Sequence, residues 1–307
     1  MDDRKSLDAR ATGIMTVLCL IWGLQQVVLK VAAPDISPLM QIALRSGISA
    51  LLVWLLMAWR KEAVSLADAH WRPGLLVGFL FAVEFLLVGE GLRFTSASHM
   101  VVLLYTAPVF VALGLHWKLP AERLGALQWL GILMAFAGIA VTFLGRGQEN
   151  DVGDCSGRLR GDVLALLAGA AWGATTVAVR MTGLSQAPAT KTLLYQLLGG
   201  FVLLTPAAVW LGQAAINPSP IALASVAFHS LVVSFASYLV WFWLLKKYLA
   251  SRLGVFSFLT PLFGMFFGVW LLDEPLEPGF IVGTALVLGG VALVSGYGWF
   301  RQFIAAK

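Results

Sequence analysis

The chain alternates between long apolar stretches and short polar breaks rich in Pro, Gly and charged residues. Each apolar stretch has about the 20 residues that a helix needs to cross a bilayer. The stretches lack the period of two that membrane β-strands show. The pattern predicts ten transmembrane helices, at 12–33, 38–59, 73–93, 97–117, 124–144, 161–182, 189–211, 221–245, 252–272 and 277–297.

The composition agrees with this pattern. Of 307 residues, 59% are hydrophobic and 12% are charged, whereas a soluble domain has about 25% charged residues. A soluble enzyme, a disordered chain and a nucleic-acid-binding module are therefore excluded as first interpretations. Cys19 lies in an apolar stretch and Cys155 in a polar loop, so no disulfide framework is expected. We predict an all-α polytopic membrane protein.

Basic residues predict the orientation of the helices. If the N-terminus lies inside, 15 of the 21 Lys and Arg residues fall on the inner side and four on the outer side. Lys30 and Arg45 lie within spans. Because basic loops stay cytoplasmic, we expect both termini on the cytoplasmic side of a bacterial inner membrane. We assign the net charge of +5 to this topology rather than to a nucleic-acid partner.

An internal repeat divides the chain into two halves of five spans each. Because five is an odd number, the second half must lie upside down relative to the first, a plan common in secondary transporters. Shifts of 150 to 153 residues align Trp22-Gly23 with Trp172-Gly173, Lys30 with Arg180, Pro108 with Pro261, and Glu122 with Glu274. The predicted segments are a cytoplasmic stretch 1–11, a first repeat 12–145, an external linker 146–160, a second, inverted repeat 161–297 and a cytoplasmic tail 298–307.

Two stretches resemble a known family. Residues 92–98 (LRFTSAS), followed by 104–110 (LYTAPVF) and Glu122, resemble the fourth-span signature of the drug/metabolite transporter superfamily. Residues 246–251 (KKYLAS), with Pro261 and Asp273-Glu274, resemble its ninth-span counterpart. With Trp22-Gly23 and Arg45 in the first half, the chain resembles EamA-type members with two EamA domains, and among these it is similar to aromatic amino-acid exporters of the YddG type.

This resemblance implies ten spans, a central cavity and export of small metabolites such as amino acids, with alternating access around that cavity. A lipid-carrier or drug flippase of the same fold is one alternative. An intramembrane enzyme is another, but the sequence has no HExxH, GxSxG, glycine-rich phosphate loop or cluster of metal ligands. We expect no cofactor and no metal. The expected surroundings are a lipid bilayer, and H⁺ is a candidate coupling ion. The sequence leaves the oligomeric state open, with a monomer as one candidate.

Charged groups inside the spans are the first candidates for the site, because such charges usually face a cavity or a partner. Glu84, near the middle of the third span, has three interpretations: a contact for a substrate amine, a proton-coupling group, or a structural partner of Arg45 or His229. Arg45 is expected either to hold a substrate carboxylate or to pair with Glu90. Glu90 and Arg93 are three residues apart and are expected to pair on one helix face.

Aromatic and polar stripes supply the other candidates. Trp22, Gln26 and Lys30 follow one helix face, and Trp172 and Arg180 repeat this stripe in the second half. Packing, anchoring and snorkelling are the structural alternatives. The remaining candidates for the cavity wall are His99 and Tyr105 in the fourth span, Tyr195 and Gln196 in the seventh, and His229, Ser234, Ser237, Tyr238 and Trp241 in the eighth.

Other residues predict architecture. Pro108 and Pro261 each remove a backbone donor and are candidate hinges. Glu122 and Glu274 precede the fifth and tenth spans, where a carboxylate is expected to cap the helix that follows. GxxxG spacings such as Gly74/Gly78 predict close helix approach.

Overall fold

The computed structural model describes residues 9–62, 70–118, 124–144, 155–248, 257 and 259–305. Helices dominate these residues, and strands are absent from them. The α-helices are α1 (Ala9–Val31), α2 (Pro38–Trp59), α3 (Trp71–Gly91), α4 (Ala97–Leu104), α5 (Ala107–Lys118), α6 (Ala126–Leu144), α7 (Cys155–Met181), α8 (Ala189–Trp210), α9 (Pro220–Ala227), α10 (Tyr238–Lys247), α11 (Leu259–Leu272) and α12 (Pro278–Ala305).

The prediction of an all-α polytopic membrane protein is confirmed. The described residues contain seven helical segments long and apolar enough to cross a membrane and three shorter apolar ones. These segments fall on the ten predicted spans. Side chains such as Trp210, Trp59 and Leu75 are exposed on the outer surface of the bundle, which fits contact with lipid.

Two spans deviate from a regular α-helix. The fourth span breaks at Tyr105 and Thr106, between α4 and α5, and Val109 N–H then bonds to the Thr106 carbonyl. Pro108 explains the break, since it cannot donate the next backbone hydrogen bond. In the eighth span, Phe228–Ser237 forms a π-helix between α9 and α10. Its i→i+5 bonding changes which side chains share a face.

The short connections between helices make successive spans antiparallel. We call the end of the bundle where α1 begins the N-terminal face, and the end where α1 ends the opposite face. The connections at 32–37, 92–96, 211–219 and 273–277 all lie at the opposite face. Contacts between side chains of these connections, described below, agree with that assignment.

The most extensive helix contacts join the first half of the chain to the second. They are the pairs α6/α12, α3/α7, α2/α8, α3/α8 and α1/α11. In the inverted repeat, α1 corresponds to α7, and α4–α5 corresponds to α11. The contact of α1 with α11 therefore has a counterpart in the contact of α7 with α4 and α5, which is also present. The packing therefore follows the pseudo-twofold relation that an inverted repeat requires.

Glycines on α6 and α12 show the same relation at atomic scale. A Cβ atom on Gly138 would lie 2.6 Å from the Gly283 carbonyl oxygen, and one on Gly290 would collide with the Gly131 carbonyl oxygen. Both glycines of one contact are 152 residues from their counterparts in the other. The two helices thus approach backbone to backbone at two equivalent points.

Candidate functional site

A cavity of about 310 Å³ lies between the two halves. Residues of both halves form its wall, and most of them are aromatic or polar. Leu193 and Gln196, in the first two turns of α8, and Ser257, just before α11, extend it toward the N-terminal face. The lining residues are Trp22, Gln25, Phe81, Glu84, Phe85, Leu104, Tyr105, Trp172, Leu193, Gln196, Tyr238, Trp241 and Ser257.

The aromatic side chains are held in edge-to-face pairs. The ring centroids of Trp22 and Trp241 are 5.6 Å apart, and those of Tyr105 and Trp172 are 5.2 Å apart. Trp22 Nε1 donates a 2.8 Å hydrogen bond to Ser237 Oγ, which fixes the indole. Such rings bury an apolar part of a ligand and attract a cation over their faces.

Glu84 is the acidic group of the cavity. Its residue is 6% exposed, and its carboxylate makes no hydrogen bond or ion pair within the described part of the chain. A carboxylate in apolar surroundings is costly without a partner. The position therefore suits a proton or the cationic group of a ligand.

Arg45 lies behind the cavity wall and is 1% exposed. Its Nη1 donates a 3.1 Å hydrogen bond to Gln25 Oε1, and its guanidinium carbon lies 4.4 Å from the centroid of the Phe85 ring. Nε and Nη2 are buried without a hydrogen-bond partner. The guanidinium thus contacts two residues of the cavity wall, Gln25 and Phe85.

Pairing with Glu90, one of the two roles expected for Arg45, is not found among the described residues. Glu90 instead accepts a 3.0 Å hydrogen bond from Arg93 Nη1, as its i,i+3 spacing predicted, and another from Gln213 Nε2. Glu90 lies at the end of α3, one turn or more beyond the level of the cavity. Arg45 is left without a carboxylate partner among the described residues.

A network of polar contacts closes the opposite face. Glu274 accepts hydrogen bonds from Ala97 N–H at 2.6 Å, Ser98 N–H at 3.0 Å and Ser98 Oγ at 2.6 Å. Lys30 Nζ lies 3.8 Å from Glu274 and donates a 2.6 Å hydrogen bond to the Thr95 carbonyl. The expectation that Glu274 caps α12 is wrong, because its carboxylate turns to the N-terminus of α4 in the other repeat.

The same face has two further cross-connections between the halves. Asp162 of α7 contacts His99 Nδ1 at 2.9 Å and accepts a hydrogen bond from Thr95 Oγ1. Asp35, after α1, accepts hydrogen bonds from Asn217 Nδ2 at 2.8 Å and Ser219 Oγ at 2.5 Å. Loops from both repeats are therefore tied together across this end of the molecule.

The structure brings half of the predicted wall residues to the cavity and places the others elsewhere. His99 stacks on Phe280 at 4.0 Å besides contacting Asp162. The ring nitrogens of His229 lie 2.8 Å from the Ser225 carbonyl and 3.1 Å from the Gln25 carbonyl. The residues at the cavity are Trp22, Glu84, Tyr105, Trp172, Gln196, Tyr238 and Trp241, and those away from it are Gln26, Arg45, His99, Tyr195, His229, Ser234 and Ser237.

Each displaced side chain has a physical reason. One residue corresponds to 100° around a helix, so Gln25 faces the cavity while Gln26 is buried at 1% exposure. Tyr195 packs on the close α3/α8 contact, where a Cβ on Gly74 would meet its ring. Ser234 and Ser237 lie on the buried side of the π-helix, and Ser237 Oγ supports the cavity wall by accepting a hydrogen bond from Trp22 Nε1.

Sequence reasoning missed several lining residues, namely Gln25, Phe81, Phe85, Leu104, Leu193 and Ser257. Phe81 and Phe85 flank Glu84 at i−3 and i+1, and Gln25 is at i+3 from Trp22. Helical spacing from the two predicted residues was the signal that could have found these three.

The two candidate hinges differ. Pro108 follows the break between α4 and α5, whereas Pro261 lies in the first turn of α11, where a missing N–H interrupts no helical bond. Glu122 lies outside the described residues.

Comparisons with known proteins agree with this architecture. The family model for the EamA-like transporter family matches residues 11–144 and 159–296. An uncharacterized transporter, YoaV, of Bacillus subtilis is 26% identical over 288 residues, which cover 91% of this chain and 94% of the relative. A probable amino-acid metabolite efflux pump of Escherichia coli is 26% identical over 302 residues, 95% of this chain and 97% of the relative. A solved crystal structure shares the fold at a TM-score of 0.65 and 20% identity, covering 94% of this chain and 96% of its own.

Proposed function

Because the chain belongs to the EamA-like transporter family of the drug/metabolite transporters, we propose that it exports small metabolites, in the first place amino acids. As a transporter and multi-pass membrane protein it handles a small-molecule substrate within a lipid bilayer. The finer proposal is that substrate binds in the central cavity and that the two inverted repeats open it to the two sides alternately.

One observation carries this proposal: an aromatic cavity between the repeats contains a carboxylate, Glu84, without a protein partner in the described part of the chain. A cationic amine fits this carboxylate, and apolar or aromatic side chains fit the walls. One of the relatives is named a probable amino-acid metabolite efflux pump, which supports the same substrate class.

The predicted orientation is compatible with export. If the N-terminus is cytoplasmic, the face closed by Glu274, Asp162 and Asp35 is the outer one. The cavity then extends toward the cytoplasm, where a metabolite for export would enter. The inner membrane of a bacterium is the proposed location.

A flux assay tests the function. Purified protein in proteoliposomes is supplied with radiolabelled amino acids and cationic drugs, with and without a pH gradient. We expect the wild type to transport amino acids. Glu84→Gln should reduce this flux at least about tenfold, because it removes a hydrogen bond to a charged group. The matched control is Glu277→Gln, which changes a carboxylate in the loop before α12.

The outcomes separate the parts of the proposal. Flux unchanged by Glu84→Gln would contradict the role of this residue. Amino-acid flux that ignores the pH gradient would exclude Glu84 as a proton carrier and leave it as a substrate contact. If no amino acid or drug crosses, the exporter is refuted, and the lipid-carrier flippase becomes the preferred alternative.

A further inference from the structure

The buried guanidinium of Arg45 determines how Gln25 faces the cavity. Arginine has donors and no acceptor, so the group that Gln25 turns toward Arg45 Nη1 must be its amide oxygen, at 3.1 Å. The two N–H groups on Gln25 Nε2 are then left for the cavity, which Gln25 lines. Among the described residues, Nε2 has no hydrogen-bond partner.

The backbone of Gln25 is held in the same way. His229, which is fully buried in the π-helix, places its Nε2 3.1 Å from the Gln25 carbonyl oxygen. Arg45 is also fixed, since its guanidinium lies over the Phe85 ring at 4.4 Å. The amide is therefore constrained at both its backbone and its side chain.

The positive and the negative charge beside the cavity, Arg45 and Glu84, each lack an ion-pair partner among the described residues. Arg45 has no ion-pair partner among the described residues, and two of its nitrogens are buried without acceptors. Glu84 provides a negative charge on the neighbouring helix, beyond ion-pairing distance from Arg45. A ligand with one anionic and one cationic group would balance both charges, whereas a simple amine would balance only Glu84.

We propose that Arg45 is a positioning residue that directs the Gln25 amide N–H groups into the cavity, where they bind the carboxylate of a zwitterionic substrate. This inference rests on the proposed transport function and assigns its two polar contacts. Gln25 touches the carboxylate, Glu84 touches the ammonium group, and Arg45 acts on the carboxylate only through Gln25 and its positive field.

Competition binding tests the proposal with the protein in detergent. The probe is radiolabelled phenylalanine, and the competitors are phenylalanine, its carboxamide, which has no negative charge, and phenethylamine, which has no carboxyl group. We expect the wild type to prefer phenylalanine over the carboxamide by about 10- to 100-fold, the range for a hydrogen bond to a charged group. Phenethylamine should bind more weakly still.

Substitutions then separate positioning from folding. Arg45→Met keeps a long apolar side chain in the buried site but leaves the Gln25 amide free to turn, so the preference for the carboxylate should fall below about threefold, within the spread of a neutral hydrogen bond. Gln25→Ala should produce the same loss. Because Arg45 acts through Gln25, the double variant should lose no more than either single variant.

The control is Gln26→Ala, which removes the adjacent buried amide away from the cavity and should leave the preference unchanged. Equal binding of phenylalanine and its carboxamide by the wild type would overturn the inference and leave the transport function standing. A preference that survives Gln25→Ala would also overturn it, whether or not Arg45→Met folds. Failure of the wild type to bind phenylalanine, together with no amino-acid flux, would refute the proposed function itself.

Discussion

Glu274 is one of three carboxylates that tie the two halves together at the opposite face, and Glu274→Gln should loosen this closure. Glu274 accepts two backbone N–H groups and one hydroxyl at the start of α4 and lies 3.8 Å from Lys30 Nζ. Glutamine has the same shape but has no charge and only one accepting oxygen. The substitution therefore weakens a contact between α4 and the α11–α12 connection, while a side chain of the same shape still fills the space.

The magnitude follows from these contacts. A hydrogen bond to a charged acceptor contributes about 1.5–3 kcal/mol and a neutral one about 0.5–1.5 kcal/mol. Each of the three bonds therefore loses about 1–1.5 kcal/mol, and together they lose about 3–4.5 kcal/mol. The Lys30 side chain is 30% exposed, so its attraction to Glu274 adds about 1 kcal/mol at most. A total of about 3–5 kcal/mol corresponds to a shift of at least about 100-fold between the closed and open states of this face.

Cysteine accessibility measures this shift. Ala32, the first residue after α1, is fully buried. Ala32→Cys, in a variant lacking Cys19 and Cys155, therefore reports opening when a membrane-impermeant maleimide is added. We expect labelling to be about 100-fold faster or more with Glu274→Gln. Labelling should be unchanged with Glu277→Gln, which alters a carboxylate three residues further along. Labelling that changes less than about twofold, with normal folding, would show that Glu274 does not hold the closure.

Three further predictions concern packing, the helix break and the walls. Gly199→Ala would place a Cβ 2.5 Å from the α3 backbone and should lower the melting temperature by several degrees, whereas Gly13→Ala, with nothing within 4 Å, should not lower it; equal melting temperatures would contradict the α3/α8 contact. Pro108→Ala restores a backbone donor at the break between α4 and α5, so transport should slow at unchanged expression, and normal turnover in the flux assay would exclude a hinge there. Trp22→Leu should raise KM for an aromatic amino acid about tenfold, the loss of one aromatic contact, while Trp129→Leu on the outer surface serves as the control; equal KM values would remove Trp22 from the binding surface.

The spans were predictable because a bilayer requires long apolar helices, and because so apolar a composition excluded a soluble fold as the first interpretation. The internal repeat predicted two inverted halves, and the helix pairs that the structure shows agree with such a relation. The hydrophobic period alone could not show where a span departs from regular α-helical geometry. The π-helix at Phe228–Ser237 has no signal in a 3.6-residue period, even though its serines Ser230, Ser234 and Ser237 are all buried.

The cavity was predictable to about the precision of one helical turn. Trp22 and Glu84 were identified from depth and polarity, but the choice between Gln25 and Gln26 required the rotation of α1, which its neighbours set. The partner of Glu274 was out of reach for another reason. Its contact with Ser98 joins residues 176 positions apart, and a capping rule applied to adjacent sequence cannot find such a pair.

The cross-packing of the repeats has a consequence for biosynthesis. Because α1, α2, α3 and α6 find their most extensive contacts on α11, α8, α7 and α12, the first half has few packing partners of its own when it leaves the ribosome. Its helices can insert into the bilayer one by one, as membrane insertion precedes helix association, but they must wait about 150 residues of synthesis for their partners. A chain truncated after α6 should therefore be an inserted but unassembled substrate for membrane proteases, and the two halves should become resistant to proteolysis together.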